Sequence, residues 1–294
     1  MLLADLSGIA YHKIINYYAN EERPDINDVK RVLLTELTEY EELYSKTFGR
    51  MIICADSKPY WRSEVQPSYK LNRLKARASS TINSEAFYED LAIIKEDIIN
   101  YSNWVMLDIK RAEADDIIAV LTAYARFIDE KVLIISSDKD MLQLQTRHKE
   151  VYQFSPNRNK LLTLENTEYD ILTHFLKGDT SDGIPNVFSV EGHFMIEGEK
   201  PRQKSITKGI IADVRENLED LTKCKSLDKV SIARYNQNIE LIDTSFTPDD
   251  LQTAIRNTFK LSNVLNKEHK LDELLSPFEA DEEVETTSNG SVRL

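Results

Sequence analysis

The chain has 294 residues, 41% of them hydrophobic and 30% charged, with 8 Gly and 8 Pro. That is enough for one large domain or two smaller ones with a real core, and it excludes a low-complexity or all-β chain. A formal net charge of −13 disfavours a uniformly basic nucleic-acid binder, and the two isolated cysteines, Cys54 and Cys224, exclude a disulfide framework or thiolate metal site, so a reduced cytoplasmic setting is expected.

The N-terminus, MLLADLSGIAYHK, has Asp5 within its apolar run and no basic leader, so no secretion signal is expected. LLADL (2–6) reads as a buried strand. Residues 28–48 have helical spacing (Val29, Val32, Leu33, Leu37, Tyr40, Leu43, Tyr44) and stop at Gly49. MIICAD (51–56) is a second strand, again ending in aspartate. Residues 57–83 are polar, basic and aromatic with no clean period; from 58 to 77 Lys58, Arg62, Lys70, Arg73, Lys75 and Arg77 face a single acid, Glu64. A helix is expected at 84–101, with Leu91, Ile94 and Ile98 on one face. WVMLD (104–108) is a strand, 113–128 a helix, VLIIS (132–136) a strand and 138–146 a helix. Two short strands follow, VYQF (151–154) and LLTL (161–164).

Apolar strands alternating with helices predict an α/β fold, with a mainly parallel central sheet covered by helices on both faces. From about residue 165 only helices are expected, at 167–177, 205–224, 228–242 and 248–260. The last opens on Thr247-Pro248-Asp249-Asp250, a cap followed by proline at the first helical position. Residues 276–294 are acidic, small and polar and read as a disordered tail. No stretch approaches the ~20 apolar residues of a membrane span, so no membrane association is expected.

In an open α/β sheet, ligands gather beyond the carboxyl ends of the strands. Asp5 and Asp56 end strands, Asp138 and Asp140 follow another, and Glu113, Asp115 and Asp116 open a helix just after the WVMLD strand. Singly, each reads as a helix cap or as a charge suited to a helix N-terminus. Together they repel and call for hard cations such as Mg²⁺ or Mn²⁺, two of which are the usual device for in-line phosphodiester cleavage. A second acidic group, Asp179 and Asp182 in KGDTSDGIPN (177–186), reads as a good turn or as a further contribution to the same cluster.

RAEADD (111–116), SSDKDMLQL (136–144) and KGDTSDGIPNV (177–187), in that order, resemble the 5′-nuclease superfamily of flap endonucleases, phage 5′-exonucleases and the 5′-nuclease domain of bacterial DNA polymerase I. The likeness covers nearly the whole chain, from LLADLSGIA through CADSKPYWR and YKLNR to IEGEKP (196–201), and is strongest to the primer-removing RNase H branch of T-even bacteriophages. It implies a PIN-like catalytic domain over 1–165, with 57–83 as a basic arch. It also implies an all-helical DNA-binding domain over 166–275 with a helix-turn-helix-type clamp.

The resemblance further implies two metal ions, Mg²⁺ with Mn²⁺ as substitute, at Asp5, Asp56, Glu113, Asp115, Asp116, Asp138, Asp140, Asp179 and Asp182. It places Arg62 and Lys70 beside Asp138 as catalytic groups. Tyr60, Trp61, Arg62, Tyr69, Lys70, Arg73, Lys75 and Arg77 are the implied DNA contacts, with the aromatics suited to stacking on unpaired bases; a solvated loop with its aromatics tucked into the core is the plainer reading.

The implied activity is 5′→3′ removal of RNA primers and 5′ flaps in phage lagging-strand replication, leaving a 5′-phosphate. DNA and RNA–DNA hybrid are the substrates of a monomer in the bacterial cytoplasm. The ranked alternatives are a non-catalytic forked-DNA binder and an aspartyl-phosphate-type phosphatase. Two departures stand out: Gly183 where the family commonly has Asn, and no second glycine hairpin after it. Finally, LDELLSPFEADEE (271–283) reads equally as a docking segment for a sliding clamp or single-strand-binding protein and as a last helix packing on its own domain.

Overall fold

Four short apolar segments supply the parallel centre of the sheet: β1 (Leu2–Asp5), β2 (Met51–Ala55), β3 (Val105–Asp108) and β4 (Val132–Ile135). β5 (Val151–Ser155) extends it in parallel, and β6 (Lys160–Leu162) closes the edge antiparallel. The spatial order is β3-β2-β1-β4-β5-β6. The chain therefore moves outward from β1 to β3 and then crosses back to β4, so the strand order reverses between β1 and β4. That reversal opens a crevice beyond the strands' carboxyl ends. In the computed structural model, residues 1–21, 23–167, 169–196 and 202–264 are described.

Side chains alternate across β1, and both faces are buried. Leu2 and Ala4 pack with α1 (Leu6–Ile14), α2 (Ile26–Phe48) and α5 (Ser84–Tyr101), through Leu6, Ile9, Leu33, Leu37 and Ile94. Leu3 faces the other way, into a cluster with Ile52, Cys54 and the buried stripe Ile117, Ile118 and Leu121 of α6 (Ala114–Phe127). Two-sided burial explains why these strands read as continuous apolar runs. The 138–146 segment resolves into a 3₁₀ turn, Lys139–Met141, and α7 (Leu142–Arg147).

α8 (Ile171–Lys177), α9 (Lys208–Glu216) and α10 (Lys229–Ile242) bury Leu172, Phe175, Leu176, Val214, Tyr235 and Leu241 in a cluster of their own, which also takes Tyr69 from the basic stretch. α11 (Asp249–Val264) behaves differently. Its Leu251, Ile255 and Phe259 return to the α6 face of the sheet, so the last described helix covers the α/β layer rather than extending the helical group.

Several expectations need correction. Residues 6–14 form a helix that sequence pattern does not announce. Within 57–83 there are two short helices, α3 (Arg62–Val65) and α4 (Leu71–Ala78); α4 buries none of its residues, so it has no apolar period to read. The 205–224 segment is α9 followed by a 3₁₀ turn, Leu221–Lys223, rather than one helix. The described residues between α8 and α9 hold one isolated bridge, Asp179 to Ile184, and a 3₁₀ turn, His193–Met195. The 276–294 tail, the 271–283 docking stretch and most of the 196–201 match lie outside the described residues. Among those described, no helix is long and apolar enough to cross a membrane.

Candidate active site

The acids meet at the crevice. Asp5 ends β1 and caps α1, accepting from Gly8 N at 2.9 Å, while Ser136 Oγ, just past β4, donates to its other oxygen at 2.9 Å. The approach is close: a Cβ on Gly8 would stand 2.5 Å from Asp5 Oδ2. Asp56, after β2, accepts from Ala114 N at 2.9 Å, which ties it to the start of α6. Asp138 caps the turn after β4 by accepting from Asp140 N at 2.8 Å. The capping reading of Asp138 therefore holds, and it occupies only one carboxylate oxygen.

Two classes of acid emerge. Among the described residues, no salt bridge reaches Asp5, Asp56, Asp115 or Asp138, and the charges repel. Burial and then Asp56 push Asp5 up to about 6. Burial, followed by Asp138 and Asp5, drives Asp115 well above the usual carboxylate range. The surrounding protein and then Asp140 push Asp138 up to about 7, even though that residue stands at the open lip of the site. Unpaired, mutually repelling carboxylates suit a hard divalent cation. By this chemistry the residues fit the metal that the sequence implies.

Glu113 and Asp116 belong to the other class, each held by cations in this structure. Asp116 is fully buried and accepts from Trp61 Nε1 at 3.1 Å, from Arg62 Nη1 and Nη2 at 3.0 and 2.9 Å, from Glu113 N at 2.9 Å and from Thr247 Oγ1 at 3.1 Å. Five donors leave no lone pair aimed at the crevice. Glu113, 2% exposed, is held by Arg62 Nη1 at 2.8 Å and by the ammonium of Lys70, with the Tyr69 hydroxyl 2.9 Å away.

The basic stretch divides in the same way. Trp61, Arg62 and Tyr69 are buried at 3%, 4% and 4% exposure, and Arg62 spends its guanidinium on Glu113, Asp116 and the Leu241 carbonyl. Tyr60 is half-buried and edge-on to Tyr69. Lys70 reaches the site. Its ammonium touches Glu113 and lies 3.4 Å from Asp182; burial alone would lower it, but Asp182 and Glu113 hold it above its ordinary value. Its backbone is left-handed (φ 57°), a conformation a lysine adopts only when its surroundings impose it.

The imposing element is the 177–186 turn. Lys70 N donates to the Asp182 carbonyl at 2.8 Å, Asn72 Nδ2 to the Thr180 carbonyl at 2.7 Å, and Arg73 Nε to the Ser181 carbonyl at 3.1 Å. Gly183 follows at φ +75°, a region open to Gly and Asn but to few other residues, and a Cβ there would stand 3.0 Å from Asn72 Oδ1 and 3.3 Å from the Ser68 carbonyl. Arg73 is bonded to Asp182, Lys75 is exposed with its ammonium 3.0 Å from the Met195 carbonyl, and Arg77 stacks on Tyr88.

One residue was missed. His174, on α8, stands between two acids, with Nδ1 3.1 Å from Asp140 Oδ1 and Nε2 3.5 Å from Asp179 Oδ2. Burial would lower it, but hydrogen bonds to the two acids raise it to about 10, while His174 and Ser181 hold Asp179 well below the usual range against burial. Asp140, His174 and Asp179 place ligand atoms within 4.8 Å of one another. No second histidine stands at ligand spacing near THFLK, so only the fold reveals this group. Asp115, Asp140, Asp179, Asp182 and Tyr69 also line a cavity of about 20 Å³, room for roughly one water-sized group.

Residues 2–172 match the family described as 5′-3′ exonuclease, N-terminal resolvase-like domain, and residues 165–274 match T4 RNase H, C terminal. The chain belongs to the 5′-3′ exonuclease family. It is 32% identical over 267 residues to Ribonuclease H of Enterobacteria phage T4, covering 87% of this chain and 85% of the relative. A 5′-3′ exonuclease of Buchnera aphidicola is 30% identical over 191 residues, 60% of this chain and 61% of the relative. The fold is that of the bacteriophage T5 D15 flap endonuclease, solved with DNA and metal ions, at TM-score 0.65 and 18% identity, covering 89% of this chain and 98% of that one. Family membership makes the protein a nuclease.

Proposed function

We propose that the protein is a Mg²⁺-dependent 5′→3′ nuclease that removes RNA primers and 5′ flaps from DNA duplexes during phage lagging-strand replication, in the cytoplasm of the host. The observation that carries this reading is the crevice at the β1/β4 reversal, where Asp5, Asp56, Asp115 and Asp138 converge with no salt bridge among the described residues. These four would hold one ion, and Asp140, Asp179 and Asp182 would hold or flank a second. When bound, the metals would activate water and offset charge on the attacking and leaving oxygens, so that cleavage leaves a 5′-phosphate.

The chain's own residues do the rest. Lys70, fixed by Glu113 and by its backbone bond to Asp182, offers its ammonium to the scissile phosphate. Arg62 is a positioning residue: it holds Glu113, and Glu113 holds Lys70. Lys75 and Arg77 supply outward positive charge for the backbone of the nucleic acid. Nothing in the geometry favours the forked-DNA scaffold or the phosphatase, neither of which gives the outward cations of α4 and the unpaired acids a joint role.

The test is a substrate panel. A 5′-labelled flap duplex, a nicked duplex and an RNA–DNA hybrid are incubated with Mg²⁺, Mn²⁺ or EDTA. Metal-dependent release of short 5′ products from flap and hybrid supports the reading. Tight binding without cleavage in either metal would hand the function to the scaffold reading.

A further inference from the structure

His174 joins two turns that reach the crevice from different layers of the fold. Asp140 comes from the 3₁₀ turn after β4, where its amide donates to Asp138 and Met141 anchors the turn in the core. Asp179 comes from the 177–186 turn of the helical group. Its Oδ1 accepts from Ser181 N and Oγ, both at 2.7 Å, and from Asp182 N at 3.2 Å, so that oxygen closes the turn on itself. Gly178 fixes the turn from the other side: its φ is +66°, and a Cβ there would collide with the Ile184 carbonyl. The remaining oxygen of Asp179, Oδ2, stands 3.5 Å from His174 Nε2.

The geometry separates support from ligation. Asp115, Asp140, Asp179 and Asp182 line the cavity of about 20 Å³, and His174 stands outside that lining. Both its ring nitrogens face carboxylates, Nδ1 at 3.1 Å from Asp140 Oδ1 and Nε2 toward Asp179, so neither has a lone pair to offer an ion. The ring is placed independently of the acids. It hangs from the last turn of α8, whose Leu172, Phe175 and Leu176 are buried, and Tyr169 stands edge-on to it at 6.4 Å. Without a donor between them, Asp140 and Asp179 would meet as like charges. The two layers are also joined elsewhere, by Arg62 Nε to the Leu241 carbonyl at 2.8 Å and by Thr244 N to Gln143 Oε1 at 3.0 Å, so the fold does not hang on this contact.

We propose that His174 is a positioning residue for the second metal position: by bridging Asp140 and Asp179 it sets the gap between Asp140 and Asp182. The proposal rests on the nuclease reading above and deepens it, because it gives the assembly of one metal position to a residue that touches neither metal nor substrate. The other position, at Asp5, Asp56, Asp115 and Asp138, draws its support from Gly8, Ser136 and Ala114 instead. It therefore keeps its affinity when His174 is changed.

Titration calorimetry of the full-length protein with Mn²⁺ tests this. Wild type binds two ions. His174→Ala weakens one of them by about 10–100-fold, the range for loss of a ligand's support, and leaves the other unchanged; Gly8→Ala, which disturbs Asp5, weakens the other. His174→Lys restores the affinity to within about threefold of wild type, because an ammonium has three donors to bridge both acids but no lone pair with which to ligate an ion. In cleavage of a 5′-flap duplex, His174→Ala raises the Mg²⁺ concentration for half-maximal rate by the factor calorimetry gives. The rate at saturating Mg²⁺ stays within about threefold of wild type.

A single Mn²⁺ in wild type would overturn the proposal, as would equal losses at both ions in His174→Ala or no loss at either. A His174→Lys protein as weak as His174→Ala would do the same, by showing the imidazole itself to be a ligand. Calorimetry judges His174 whether or not substrate is cleaved. A wild type that binds both ions and cleaves no substrate in Mg²⁺ or Mn²⁺ therefore sinks only the nuclease reading.

Discussion

Arg62 and Asp116 form a two-pronged ion pair, Nη1 to Oδ2 at 3.0 Å and Nη2 to Oδ1 at 2.9 Å, with both side chains buried beneath the acidic crevice. Trp61 and Thr247 bind the same carboxylate, so one acid joins the basic stretch, the start of α6 and the turn before α11. A buried pair contributes little beyond an apolar replacement, but removing one partner strands the other charge. Arg62→Ala is therefore expected to cost about 3–5 kcal/mol of folding free energy. Urea unfolding measures it, and a loss below about 1 kcal/mol would mean that the pair is solvated in solution.

Gly8 is the second point of attack. A methyl group there would meet Asp5 Oδ2 at 2.5 Å, so Gly8→Ala must rotate the carboxylate or shift the first turn of α1. The expected outcome is a fold that still melts cooperatively but binds divalent metal about 10–100-fold more weakly, the range seen when the support of a ligand is disturbed. Titration calorimetry with Mn²⁺ reads this directly. Unchanged affinity would take Asp5 out of the metal site.

The acids also set a pH dependence. Asp5 and Asp138 are raised to about 6 and about 7, and Asp115 is raised further above its ordinary value. A carboxyl with a raised folded-state pKa binds its proton more tightly in the folded than in the unfolded chain. Its stabilising contribution is full below the unfolded value near 4 and is lost as pH rises through the folded value. In EDTA these groups therefore weaken the fold between about pH 4 and pH 7. A divalent cation offsets the charge, so Mg²⁺ should raise Tm by more at pH 8 than at pH 5. Equal shifts at both pH values would separate metal binding from these carboxylates.

Much of the scaffold was legible because burial writes periods into sequence. β1, β2 and β4 are apolar runs that end at, or just before, the acids of the crevice, and α2, α5 and α6 carry clear stripes. α1 was hidden because residues 6–14 contain Gly8 and begin directly from a strand, and α4 because it buries nothing. Which acids face the crevice was not legible either. Asp115 and Asp116 are neighbours in sequence, yet one is unpaired and the other saturated by Trp61, Arg62 and Thr247, partners 55, 54 and 131 residues away. His174 escaped for the same reason: its two acids come from different elements.

Asp138→Asn separates chemistry from binding. The substitution keeps the cap on Asp140 N, because the side-chain carbonyl still accepts that bond, and it removes one negative charge from the crevice. With a 5′-flap duplex in Mg²⁺, the cleavage rate should fall by at least ~100-fold. DNA affinity, measured in the same buffer, should stay the same or tighten as repulsion toward phosphate falls. Cleavage at the wild-type rate would remove Asp138 from the catalytic set and with it the reading of the β1/β4 crevice as a metal-dependent nuclease centre.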